Sequence, residues 1–183
     1  MNFYLDIRIK PDAEMRQNLL LNKVYIKLHK ALCDLQATDI GVSFPEYRVV
    51  LGEVIRVHST RERLNALQAT GWLGRLVGYC VIADIQTVPE LVEYRTLFRA
   101  RSNMTESKLR RLMKRGSITG DEVKAYRVKM FGSGLTEPYL ELESNSNGHK
   151  HRRYIAFGEL LDSSIPGEFD QFGLSKTATI PWF

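Results

Sequence analysis

Two cysteines among 183 residues, Cys33 and Cys80, form neither a CxxC pair nor a cysteine–histidine ligand spacing. That argues against a disulfide scaffold and a structural zinc site, and predicts two buried thiols in a reducing compartment. No apolar run approaches the roughly 18 residues of a membrane span. The first residues, Met1-Asn2-Phe3-Tyr4-Leu5-Asp6, lack the basic-then-apolar form of a secretion signal. The expectation is a cytoplasmic protein with no membrane partner. HExxH, paired aspartates and a phosphate loop are missing as well, which speaks against metal hydrolysis and nucleoside-triphosphate chemistry. We therefore expect no metal and no cofactor. Internal repeats and long low-complexity linkers are also lacking.

What the chain does have is positive charge in one place. Its formal net charge is +5 and its sequence pI about 9.2, with 44% apolar and 26% charged residues, enough for a real core. The run Lys108-Leu109-Arg110-Arg111-Leu112-Met113-Lys114-Arg115 carries five cations in a helical pattern. At 100° per residue, Lys108, Arg111 and Arg115 share one stripe, and Arg110 and Lys114 lie on the stripe beside it. Leu109, Leu112 and Met113 turn the other way. Asn103 with Glu106 predicts the helix start and Gly116 its end, a basic helix over 103–115. A folded domain rarely concentrates cations like this without a polyanion to receive them. Nucleic acid is the natural one.

The rest of the pattern predicts an α+β fold. Phe3, Leu5, Ile7 and Ile9 alternate with polar residues up to Pro11, the mark of a strand. Helical spacing of apolar residues runs from Glu14 to about Gln36. Strands follow at Ile40–Phe44 and Glu53–His58, then a helix from Thr60 to about Leu76. Val77–Ile85 reads as β, and Tyr94–Arg101 continues it or pairs with it. The order suggests a ferredoxin-like (RRM-like) βαββαβ domain over 1–101. Residues 102–183 then form a smaller C-terminal domain with the basic helix, a second helix near 121–130 and a β-hairpin. A two-residue turn at Asn147-Gly148 sets that hairpin's register. It puts Leu140, Leu142, Ser144 and Ser146 on the face shared by His151, Arg153, Ile155 and Phe157, with His151 opposite Ser144.

Few residues suggest chemistry. His29 lies beside the apolar stripe of the first helix, and an imidazole moves protons near neutral pH without a metal. Cleavage of RNA needs little else, because the neighbouring 2′-hydroxyl is already tethered to the phosphorus. Ser144 places a hydroxyl where a strand face leads one to expect an apolar side chain. Lacking a convincing carboxylate–histidine pair, it would hold the attacking oxygen or its phosphate rather than act as a nucleophile. His149 and His151 compete with His29 as base, but amid Lys150, Arg152 and Arg153 they suit phosphate contact or base stacking better. His58 reads as structural.

Several short motifs then occur in a fixed order. They are Tyr4-Leu5-Asp6-Ile7 with Pro11-Asp12, Lys27-Leu28-His29, Gly41-Val42-Ser43-Phe44-Pro45, and Arg101-Ser102-Asn103. After these come Leu112-Met113-Lys114-Arg115, Ser144-x-Ser146-x-Gly148, and Gly173-Leu174-Ser175-Lys176 to Pro181-Trp182-Phe183. In these the chain resembles, nearly end to end, the CRISPR-associated repeat-processing endoribonucleases of the type I-F system.

The resemblance implies a metal-independent enzyme that binds the repeat stem-loop of the CRISPR transcript and cuts at the base of its stem. It also implies retention of the product with the backbone and other subunits of a type I-F surveillance (Cascade) complex. The family's catalytic histidine falls on His29 and its catalytic serine on Ser144. Its arginine-rich helix, which lies in the RNA major groove, falls on Lys108–Arg115. Arg111, Lys114 and Arg115 are the nearest matches, with Lys108 and Arg110 beside them. The reader of the lower stem falls on Leu97–Arg101, hence Arg99 and Arg101. Ser146 belongs to the serine motif. An aromatic that stacks under the last base pair falls on His151 or Arg152. Phe172 stands where the family often has tyrosine, and Gly116 where its helix can end in histidine. The other classes to weigh are a non-catalytic subunit that caps a guide-RNA hairpin and a DNA-binding regulator.

Overall fold

The computed structural model describes residues 1–13, 15–101, 104–132, 135–143, 148 and 150–183. The chain divides into two compact units, Met1–Arg99 with Pro138–Phe183, and Ala100–Glu137. This differs from a split near residue 101 into two consecutive halves. The hairpin and the C-terminal segment return to the first unit because their apolar residues Leu140, Leu142, Ile155, Phe169, Leu174, Ala178 and Ile180 complete its core. The second unit holds the basic helix and the helix after it.

In the first unit, β1 (Phe3–Ile9) turns Leu5, Ile7 and Ile9 into the core and Tyr4, Asp6 and Arg8 outward, as period-two alternation requires. Helix α1 (Gln17–Asp34) buries Leu20, Leu21, Val24, Tyr25, Leu28, Ala31 and Leu32 along one stripe. Strand β2 (Gly41–Ser43) stops before Pro45, and β3 (Val54–Ser59) runs antiparallel to β1. Helix α2 (Arg61–Ala69) opens on Thr60, whose hydroxyl accepts the Arg63 N–H. Then comes β4 (Cys80–Ile82), and the sheet order is β2-β3-β1-β4, with β5 (Gln86–Thr87) also on β1. On the outer face Arg56 pairs with both Asp6 oxygens at 2.7 and 2.9 Å. Its guanidinium sits over the rings of Tyr4 and Phe183, tying down the C-terminal residue. His58 is fully buried beside it, and its Nε2 lies 2.8 Å from the Ser43 hydroxyl.

Four local expectations are corrected. Val77–Tyr79 are not strand but belong to a 3-10 turn over Gly74–Tyr79, begun by Gly74 in the left-handed region at φ 53°. The segment after it does not pair with β4. It splits into β6 (Glu93–Arg95), paired with β10 (Ile180–Trp182), and β7 (Leu97–Ala100), which joins β9 (Lys150–Phe157) and β8 (Tyr139–Glu143).

The hairpin register also moves. Leu142, not Ser144, lies opposite His151, and Glu143 opposite Lys150. A slip of two residues keeps every side chain on its expected face. The register is set by packing rather than by the Asn-Gly turn. The Glu141 N–H donates to the buried Asn22 side chain of α1, and Leu140 and Ile155 are wholly buried.

In the second unit, α3 (Glu106–Lys114) begins two residues later than expected, on Thr105 rather than Asn103, which lies outside the described residues. The Thr105 hydroxyl accepts the Lys108 N–H at 3.2 Å. Its end is a Schellman turn. Gly116, at φ 65°, donates to Met113 and Ser117 donates to Leu112. Helix α4 (Gly120–Gly132) starts on a capping box in which Thr119 and Glu122 bond each other's backbone N–H. Tyr126 and Arg127 of α4 bond Thr105 and Glu106 of α3, so the two helices hold each other at their N-terminal and middle turns. No helix among the described residues is long and apolar enough to cross a membrane.

Candidate active site and basic helix

His29 lies on α1 one turn after Tyr25, so both side chains project from the same helix edge. They meet the turn at residues 170–174. The Tyr25 hydroxyl donates to the Phe172 carbonyl at 2.7 Å, and His29 Nδ1 lies 2.7 Å from the carbonyl of Gln171, 142 residues away in sequence. A backbone carbonyl can only accept, so Nδ1 carries the hydrogen, and in the neutral ring Nε2 keeps its lone pair. The imidazole is half-buried, leaving it reachable from solvent.

Phe172 holds the ring flat. Its centroid is 3.6 Å from that of His29, with 10° between the planes. The buried Arg153 guanidinium lies 3.4 Å from the same centroid. Two groups so close to one centroid cannot share a face, so Phe172 is the middle layer of an Arg153–Phe172–His29 stack. Both faces of its ring are thus covered. Cys33 Sγ also lies against the imidazole, 3.6 Å from Nδ1 and 3.9 Å from Nε2, and is 3.2 Å from the Gln171 side-chain oxygen. Burial, and secondarily the Asp34 charge, push the Cys33 thiol up in pKa. It stays S–H and donates to Gln171.

Strand β9 carries Arg153 into this stack and places His151 two residues away on the same face, about 7 Å along the strand. His151 is half-buried, whereas Arg152 points outward, pairs with Glu141 at 3.3 Å and lies over the Tyr139 ring. Arg99 is half-buried on β7. Ser144 and Ser146 lie outside the described residues, as does His149.

In the second unit α3 presents its cations to solvent. Lys108, Arg110, Arg111, Lys114 and Arg115 are all exposed, as is Arg101 before the helix. Leu109 is fully buried and Leu112 half-buried, but Met113 is 49% exposed, so the apolar stripe is narrower than the spacing suggests. Arg111 and Lys114 occupy the last turn, where the helix dipole favours positive charge. That favours a dense cationic face even without a carboxylate beside each cation.

His58 is the contrasting imidazole. Desolvation, then the charges of Arg56 and the N-terminal amine, lower its pKa to about 3. It stays neutral and sealed, a structural residue as expected. Of these two rings, that of His29 is open to solvent and that of His58 is not.

A model of the family described as CRISPR-associated protein (Cas_Csy4) matches residues 4–183. This chain belongs to that family. It is 35% identical over 184 residues to a CRISPR-associated endonuclease Cas6/Csy4 of Escherichia coli (strain UTI89 / UPEC), covering all of both chains. It is also 35% identical over 187 residues to the Cas6/Csy4 endonuclease of Pseudomonas aeruginosa (strain UCBPP-PA14), again covering both chains entirely. Among solved structures it is similar to Thermus thermophilus Cse3, bound in that structure to an RNA representing a pre-cleavage complex. That likeness spans 99% of this chain and 100% of the other at 12% identity, with a TM-score of 0.38.

Sequence reasoning placed His29 at a helix edge but left out its surroundings. Tyr25 was legible as core, four residues before His29 on the same stripe. Arg153 left a better signal, a cation at an inward position of a strand between His151 and Ile155. Nothing local pointed to Gln171. Its side chain is exposed and its backbone does the work.

Proposed function

We propose that this Cas6/Csy4-family chain is a metal-independent endoribonuclease that cleaves CRISPR repeat transcripts at the base of the repeat stem-loop. The observation that carries the reading is His29 itself. In a chain that matches the family from residue 4 to residue 183, its Nδ1 faces a carbonyl, which leaves Nε2 as a base. In this reading Nε2 takes the proton of the ribose 2′-hydroxyl upstream of the cut. The 2′-oxygen bonds to phosphorus as the bond from phosphorus to O5′ breaks, and the departing O5′ takes up a proton. One product ends in a 2′,3′-cyclic phosphate and the other begins with a 5′-hydroxyl. Ser144 steadies the attacking oxygen or its phosphate.

The α3 cations Lys108, Arg110, Arg111, Lys114 and Arg115 grip the stem. Arg99, Arg101, Ser146, His151, Arg152 and the edge of Phe172 contact the RNA near the cut. The scaffold is the ferredoxin-like one, a reading supported by the β1-α1-β2-β3-α2-β4 succession and the order β2-β3-β1-β4. The protein stays on its product in the cytoplasm, within a type I-F Cascade complex.

The test is incubation with the cognate repeat hairpin in EDTA. One cut at the stem base is expected. Replacing the upstream 2′-hydroxyl with hydrogen should stop cleavage and leave affinity within about twofold. Tight binding with intact RNA would instead mark a hairpin-capping subunit. Cleavage of the deoxy substrate would remove the 2′-hydroxyl mechanism, and tighter binding to duplex DNA would favour a regulator.

A further inference from the structure

The imidazole is held by a turn as well as by its own helix, and that turn is built around Asp170. One carboxylate oxygen, Asp170 Oδ1, accepts the N–H groups of both Phe172 and Leu174, at 2.9 and 3.0 Å. The Asp170 N–H donates to the Leu174 carbonyl and the Gly173 N–H to the Asp170 carbonyl, each at 2.8 Å. Gly173 adopts φ 68°, and a Cβ there would collide with the Val42 side chain. Its carbonyl accepts the Val42 N–H of β2 at 2.9 Å. The turn is thus fastened to the sheet through Val42 and to α1 through Tyr25. The two α1 side chains Tyr25 and His29 read consecutive carbonyls, Phe172 and Gln171. Every one of these bonds helps aim the Gln171 carbonyl at Nδ1.

We infer that Asp170 is a positioning residue for His29: by closing the 170–174 turn it aims the Gln171 carbonyl and thereby fixes the imidazole tautomer that leaves Nε2 unprotonated. The tautomer matters because a neutral histidine side chain in water prefers its hydrogen on Nε2. Without a fixed acceptor at Nδ1, a large share of neutral rings would present an N–H where a base is required. Asp170 is exposed and makes its bonds within the turn, so it acts through Gln171 and not on the substrate. This inference deepens the proposed role of His29 as base and rests on that reading for its effect on rate. Its effect on the tautomer stands without it.

The experiment combines ¹⁵N spectroscopy of the histidine side chains in alkaline buffer with single-turnover cleavage. The spectrum of His29→Ala assigns the resonance. The wild-type protein should show a pyridine-like Nε2 and a pyrrole-like Nδ1 at His29. Asp170→Asn keeps the amide oxygen as acceptor and should retain both that spectrum and a rate within about twofold. Asp170→Ala should show a tautomer mixture and a rate lower by about tenfold, with RNA affinity unchanged. If Asp170→Ala fails to fold, Tyr25→Phe removes the other fastening and should shift the same resonances in the same direction. An unaltered His29 tautomer in the folded variant would overturn the inference, whatever the rate. A changed tautomer with an unchanged rate would uphold the positioning and remove His29 as the base.

Discussion

The His29 site and helix α3 are built in opposite ways. His29 depends on parts far apart in sequence: α1, β9 and the 170–174 turn each supply one layer or one hydrogen bond. Helix α3 is nearly self-contained, with its cap, charges and stop all lying within residues 105–117. The first arrangement holds one ring between a hydrogen bond and a stacked phenyl face. The second spreads charge over a surface where no single side chain needs exact placement. That division suits proton transfer, which is steep in distance, and phosphate attraction, which is not.

Mutation can break the comparison most sharply at His29. His29→Ala should reduce single-turnover cleavage by about 100- to 10,000-fold, the usual worth of a positioned base, while filter binding shows unchanged affinity. Equal loss of binding would return His29 to a structural role. Acid should find the first unit next. The buried His58 has a pKa near 3, against about 6.5 when unfolded, so the unfolded chain binds the extra proton between those values. Stability from this group is complete above pH 6.5 and is lost as pH falls towards 3. By pH 5 the loss is about 2 kcal/mol, measurable as a lower urea midpoint that His58→Gln should flatten.

The exposed helix should answer to salt instead. About five phosphate contacts imply roughly 500-fold weaker binding between about 50 and 200 mM salt, taking the duplex-DNA slope. Arg111→Ala with Arg115→Ala should cut that range to about 40-fold and leave cleavage at saturating protein intact. An unchanged salt slope would make α3 an ordinary solvated face. The smallest effect belongs to the helix start. Thr105→Ala removes the cap on Lys108 N–H and should cost about 1 kcal/mol of helix stability, read by hydrogen exchange in α3.

The same contrast explains what could be read in advance. Elements whose cause is local were legible: the alternation of β1, the buried stripe of α1, the Thr60 cap, the Gly116 stop. Where two local signals compete, tertiary packing decided. Asn147-Gly148 suggested a tight turn, but the bond from Glu141 to Asn22 and the burial of Leu140 set the register two residues away. Val77–Tyr79 had β-forming residues, yet glycines at 71, 74 and 78 made a 3-10 turn there. His29 could be found because its sequence context matches a known family. The neighbours that orient it could not, since a backbone carbonyl has no letter in a sequence.

The crowded glycine of the 170–174 turn has a consequence for mutational tolerance. Gly116 and Gly173 share a left-handed backbone, but Gly116 faces open space while Gly173 presses on Val42. A saturation scan should therefore accept asparagine at 116 with little harm and reject every side chain at 173. The His29 ring is thereby guarded by a residue that has no side chain.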